Sequence, residues 1–136
     1  MNVAKNTGLL GRWQVLQQEP KIVCDVGHNV DGITQIVRQL QLESFQNLHI
    51  VLGMVKDKKH EEVLELLPKK ATYYFTRPNN MRAISSDELQ AKSEAFDLKG
   101  NTFADVLEAL DSAKTNALKQ DFILICGSTF LLEDIL

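Results

Sequence analysis

Apolar and polar positions follow two periods in turn along this chain. Arg12-Trp13-Gln14-Val15-Leu16 alternates, which predicts an edge-like first strand, closed by a turn at Glu19-Pro20. Lys21 to Val26 is a short β-branched run and reads as a buried strand. Ile33, Ile36, Val37 and Leu40 then recur at helical spacing, with Asn29 as the cap and an end near Gln41. Leu48 to Val55 is nearly all apolar and predicts a central strand. Glu61 to Leu67 predicts a short helix stopped by Pro68. Ala71 to Thr76 is β-branched and aromatic, hence another strand. Ser85 to Glu88 has capping-box spacing and opens a helix reaching about Phe96. Gly100-Asn101 reads as a turn. Phe103, Val106, Leu107, Leu110 and Ala113 predict a further amphipathic helix. Phe122 to Cys126 is the last buried strand, and Leu131, Leu132 and Ile135 face inward from a final helix.

Strands that alternate with helices predict an α/β fold: three Rossmann-like layers, a mainly parallel sheet with an antiparallel edge strand, and helices on both faces. The chain has 136 residues, enough for one domain that buries about two-thirds of its unfolded surface. A net charge of −3 gives no support for nucleic-acid binding. No apolar run approaches the roughly 20 residues of a membrane helix. Cys24 and Cys126 both lie in strands, so they read as buried thiols in a reducing cytoplasm rather than as a disulfide or zinc site. Residues 1–10 resemble the end of a helix without a start, which suggests a piece of a larger protein.

The polar cluster Asp25-Val26-Gly27-His28-Asn29 sits where the second strand ends and a helix begins. That rim is where open α/β sheets bind ligands. Asp25 and His28 can point into one crevice there. Asp25 can bind a ribose hydroxyl or magnesium, or can hold the turn through backbone amides; both readings stand. Gly127-Ser128 follows the last strand, where a hydroxyl and backbone N–H groups either bind an anion or cap a helix. Arg12 can fork onto a phosphate or a carboxylate. Arg77 and Arg82, and the basic run Lys56, Lys58, Lys59 and His60, read as surface; Trp13 reads as packing. No G-x-x-x-x-G-K-[ST] loop is present.

Four stretches occur in a familiar order: Leu9-Leu10-Gly11-Arg12-Trp13-Gln14, Asp25-Val26-Gly27-His28-Asn29, Gly53-Met54-Val55-Lys56-Asp57-Lys58 and Cys126-Gly127-Ser128-Thr129. Together they resemble the C-terminal domain of the folylpolyglutamate synthase/dihydrofolate synthase family, in the Mur ligase superfamily. The family pattern D-x-A-H-N-P is altered here by Gly27 and Val30. The resemblance covers nearly all of residues 1–136. It implies the C-terminal part of a larger ligase whose N-terminal ATPase domain lies elsewhere. It implies ATP and Mg2+ as cofactors, with the magnesium ligands mainly in that other domain and no metal ligand or catalytic residue in this one. It implies L-glutamate and a folate or dihydropteroate as partners, with neither nucleic acid nor membrane. By the same resemblance, Arg12 and Asp25 contact ATP, near its phosphates and ribose respectively, and His28 and Ser128 bind glutamate. This chain alone is then expected to lack ligase activity. The rivals are another Mur-type amino-acid ligase and a receiver-like α/β module.

Overall fold

The computed structural model describes residues 11–56 and 59–135. Its elements are β1 (Gln14–Gln18), β2 (Lys21–Cys24), α1 (Val30–Gln41), β3 (Leu48–Leu52), α2 (His60–Leu66), β4 (Thr72–Phe75), α3 (Ser86–Glu94), β5 (Gly100–Thr102), α4 (Val106–Asn116), β6 (Phe122–Cys126) and α5 (Phe130–Ile135). The six strands form one sheet in the order β1-β2-β6-β3-β4-β5. β1 runs antiparallel to β2, and every other pairing is parallel.

Side-chain alternation divides the sheet into two apolar faces. Val23, Ile50, Leu52, Phe75, Phe122 and Leu124 face Ile33, Ile36 and Leu40 of α1, Val63 and Leu64 of α2, and Leu89 of α3. Ile22, Val51, Tyr74, Ile123 and Ile125 face Val106, Ala109, Leu110 and Ala113 of α4 and Leu131 and Leu132 of α5. β6 and β3 lie at the centre and are buried along their whole lengths, as their unbroken apolar runs require. The expected three layers with an antiparallel edge strand are therefore present.

Some boundaries differ from expectation. β1 starts two residues later, because Trp13 adopts a positive φ of 47° and belongs to the preceding turn. Its ring packs on Phe122, with centroids 6.0 Å apart, as a packing residue should. The turn expected at Gly100-Asn101 is instead part of β5, recruited by register against Tyr73, Tyr74 and Phe75. β3 ends at Leu52, and Val55 forms a lone antiparallel bridge to Ala83. Cys24 and Cys126 belong to opposite faces of the sheet and are both free thiols. Burial, with the neighbouring Asp25 charge, pushes the Cys24 thiol up to about 12 and raises that of Cys126 as well.

At the amino ends of the strands a buried polar chain closes the base of the sheet. His49 Nε2 lies 2.9 Å from Asp121 Oδ2, and His49 Nδ1 lies 2.9 Å from the Tyr74 hydroxyl. Asp121 also accepts from the backbone N–H groups of Asn47 and Leu118. Burial raises the Asp121 carboxyl, but the bonds from Leu118, His49 and Asn47 outweigh it and leave the group below its usual range. A depressed folded-state value stabilises the fold above the unfolded value and loses that contribution as pH falls through the folded value. Urea unfolding is therefore expected to show stability declining below about pH 4. Asp121→Asn should flatten that decline; an unchanged slope would contradict the assignment.

Candidate functional site

β2 and β6 are parallel neighbours, so the segments that follow them emerge side by side on one rim. The 24–29 turn and the 126–129 turn both lie there. The Asp25 N–H bonds to the Ile125 carbonyl at 2.9 Å, which fixes the first turn to the strand beside it.

Asp25 is buried, at 4% exposure, and its carboxylate gathers three donors. Oδ1 accepts from Arg12 Nε at 3.0 Å and from the Gly27 N–H at 2.8 Å. Oδ2 accepts from the Trp13 N–H at 3.0 Å. A carboxylate offers about four acceptor positions, and three are taken here. The turn-holding reading of Asp25 is thus met, and Asp25 lines none of the three clefts that meet at His28. Arg12 is 44% exposed along its side chain, so its guanidinium is anchored at Nε and presented at the surface. Gly11 has φ +88°, and a Cβ there would approach Val26 Cγ1 to 2.8 Å. The turn needs glycine at that place.

His28 Nδ1 lies 3.1 Å from the Val26 carbonyl, which cannot donate, so Nδ1 carries the proton. Nε2 is left as the ring atom available to a ligand. Asn29 caps α1 by accepting from the Gly32 N–H at 2.8 Å. The helix begins at Val30, the position at which the resembled pattern has proline, so the cap does the work of the missing ring.

Ser128 is buried, and its hydroxyl accepts from the Phe130 N–H at 3.1 Å, as a helix cap does. Its own proton is not spent on that bond. Gly127 before it has φ +112°, and a Cβ there would collide with the Gly53 carbonyl. The close passage of the segments after β3 and β6 therefore depends on glycine.

Three clefts meet at His28. One of about 330 Å³ is lined by Arg12, Gly27, His28, Asp31, Gln35 and Thr129. A second of about 190 Å³ is lined by His28, Val55, Arg82, Ser128, Thr129 and Phe130. A third of about 340 Å³ runs between α1 and α2, past Asp31, Lys59 and Glu62. The four residues singled out in the sequence therefore lie on one rim: Arg12, held by Asp25, on one side of His28, and Ser128 on the other. Arg82, read from the sequence as surface, shares a cleft with His28 and Ser128. Nothing in its local pattern signals this, because the segment reaches the rim by tertiary pairing. His60 corrects another expectation. It is buried, not part of a solvated basic loop, and its Nε2 is 2.6 Å from the Val55 carbonyl. Lys56 and Lys59 are exposed as expected. Asp57 and Lys58, like Leu9 and Leu10, lie outside the described residues.

The model of one family, Mur ligase, glutamate ligase domain, matches residues 11–129. The chain belongs to the Mur ligase family. Within that family it is similar to the probable bifunctional folylpolyglutamate synthase/dihydropteroate synthase of Haloferax volcanii, with 29% identity over 96% of this chain and 16% of the relative. It is similar to the dihydrofolate synthase/folylpolyglutamate synthase of Buchnera aphidicola, with 27% identity over 93% of this chain and 30% of the relative. The Escherichia coli FolC structure in complex with DHPP and ADP superposes with a TM-score of 0.82 and 25% identity, over 92% of this chain and 30% of that one. A bifunctional folylpolyglutamate synthase/dihydrofolate synthase structure with Mn, AMPPNP and L-glutamate bound gives a TM-score of 0.82 and 27% identity, over 94% of this chain and 31% of that one. This Mur ligase chain thus spans a third or less of these relatives. The receiver-like alternative falls with the family match; in addition, the Asp25 carboxylate faces internal donors, and Gly127-Ser128 stands after β6.

Because Gly127 combines a positive φ with a close carbonyl, Gly127→Ala is expected to cost about 1–3 kcal/mol in urea unfolding. A cost near zero would show that the passage can relax.

Proposed function

We propose that this chain is the part of a folylpolyglutamate synthase/dihydrofolate synthase that contacts the nucleotide and presents L-glutamate. In the proposed reaction, the γ-phosphoryl group of ATP passes to a carboxylate of a folate or dihydropteroate, giving an acyl phosphate and ADP. The glutamate amine attacks the acyl carbon, phosphate leaves, and an amide forms. This domain's share is placement: it holds the amine and the acyl phosphate at attack distance and excludes water on closure.

The observation that carries the reading is the convergence of Arg12, His28, Arg82 and Ser128 on adjoining clefts of one rim. The Arg12 guanidinium, fixed at Nε by Asp25, suits the phosphates of ATP. Asp25, which holds that guanidinium, is assigned in the same proposal to the ribose side. The His28, Arg82 and Ser128 cleft suits an amino acid with two carboxylates. Arg82 supplies a cation, Ser128 a hydroxyl donor, and His28 Nε2 an acceptor for an ammonium proton. Among the described residues no group of three or more His, Cys, Asp or Glu can hold a metal ion. In this proposal the Mg2+ that accompanies ATP is held mainly by an ATPase domain elsewhere in the ligase, which is also the partner on which the rim closes. No helix of the described residues is long and apolar enough to cross a membrane. A cytoplasmic location belongs to the same proposal.

Steady-state kinetics of the ligase carrying this domain tests the division of the rim. Losing a hydrogen bond to a charged group costs about 1.5–3 kcal/mol, or roughly 10–100-fold in affinity. Ser128→Ala and Arg82→Ala should raise the KM for glutamate by about that range and leave the KM for ATP unchanged. Arg12→Ala should do the reverse. Equal effects of all three on both substrates would contradict the assignment. Glutamate replaced by muramyl-ligase amino acids without loss of rate would point to a different Mur-type ligase.

A further inference from the structure

Arg82 reaches the rim through a small ribbon that no helix or strand of the sheet supplies. The Lys56 N–H donates to the Arg82 carbonyl at 2.7 Å, and the Ile84 N–H to the Met54 carbonyl at 3.0 Å. Val55 and Ala83 form the antiparallel bridge between these two bonds. On its far side the loop is tied by the Asn79 N–H to Asp134 Oδ2 at 2.8 Å. On its near side the tie is His60. Its ring lies at the first turn of α2, is 3% exposed, and meets the Val55 carbonyl at 2.6 Å. A carbonyl only accepts, so Nε2 carries the proton and donates. Val55 itself is 5% exposed and lines the cleft with Arg82 and Ser128. α2 is anchored in the core by Val63 and Leu64, so the histidine connects a rigid element to the ribbon.

The geometry points to His60 as a positioning residue for the amino-acid substrate. It lines none of the three clefts that meet at His28. Its bond to Val55 fixes the ribbon, the ribbon fixes Arg82, and Arg82 faces the cleft assigned to glutamate. The inference rests on that glutamate reading and deepens it. A buried histidine that served packing alone would need only its ring volume. Here the donor atom is aimed at a backbone oxygen of the ribbon itself, at the residue that bridges Ala83 and lines the cleft. A displacement of this kind acts on substrate placement, to which rates and affinities are steeply sensitive.

The test uses the ligase carrying this domain, with His60→Phe, which keeps a ring but deletes the donor, and His60→Gln, whose amide can reach the same carbonyl. His60→Phe should raise the KM for glutamate by about tenfold while the KM for ATP stays within about twofold. His60→Gln should restore the glutamate value to within about twofold of the parent. If His60→Phe does not fold, His60→Asn replaces it, because its shorter amide falls short of the Val55 oxygen. An unchanged glutamate KM, equal rises for both substrates, or a folded Gln variant that fails to restore binding would each overturn the proposal. Arg82→Ala is the parallel control. If it raises the glutamate KM and the His60 variants do not, the positioning role fails and the glutamate reading survives. If Arg82→Ala has no effect either, the glutamate reading fails with it.

Discussion

One buried carboxylate holds one side of the rim together. Asp25 is carried to the top of the sheet by β2, and its three bonds gather Arg12, Trp13 and Gly27 from two separate turns. Trp13 stands at a positive φ, a conformation that costs a residue with a side chain roughly 1–2 kcal/mol. A hydrogen bond to a charged group contributes about 1.5–3 kcal/mol, so the bond from the Trp13 N–H offsets the strain. The carboxylate thus works with the Val26 N–H bond to the Gly11 carbonyl and the packing of Trp13 on Phe122 to hold the turn. Arg12 is held at Nε by the same group, so its guanidinium reaches the surface with part of its freedom already lost.

The other side of the rim is built differently. Ser128 depends on Gly127, whose missing side chain lets the Gly53 carbonyl pass close by. Arg82 depends on a ribbon of loop backbone held between α2 and α5. One wall thus rests on an ion pair and the other on backbone pairing, with His28 between them. Under the proposed function the two walls meet different chemistry: phosphates on one, an amino acid on the other.

Much of this was legible in the chain because the central strands are fully buried. Ile22-Val23-Cys24 and Phe122 to Cys126 have no polar face, and such runs read as strands without help from context. The rim residues Asp25, His28 and Ser128 were legible for the same reason, since they immediately follow those strands. β5 was not, because Gly100 and Asn101 favour turns and acquire strand geometry only from β4. Arg82 and His60 were not, because their placement arises from pairings between residues about 28 positions apart or from burial that charge patterning conceals. The His49–Asp121–Tyr74 chain was likewise hidden, since its members are separated by 25 and 72 residues.

Nucleotide binding by an Asp25→Asn variant tests the central claim most directly, measured in the ligase carrying this domain alongside an NMR or crystal structure of the altered chain. The account predicts an intact sheet, a displaced 11–13 turn, and an ATP affinity reduced by about tenfold or more. An unchanged ATP affinity with Arg12 still in place would contradict it.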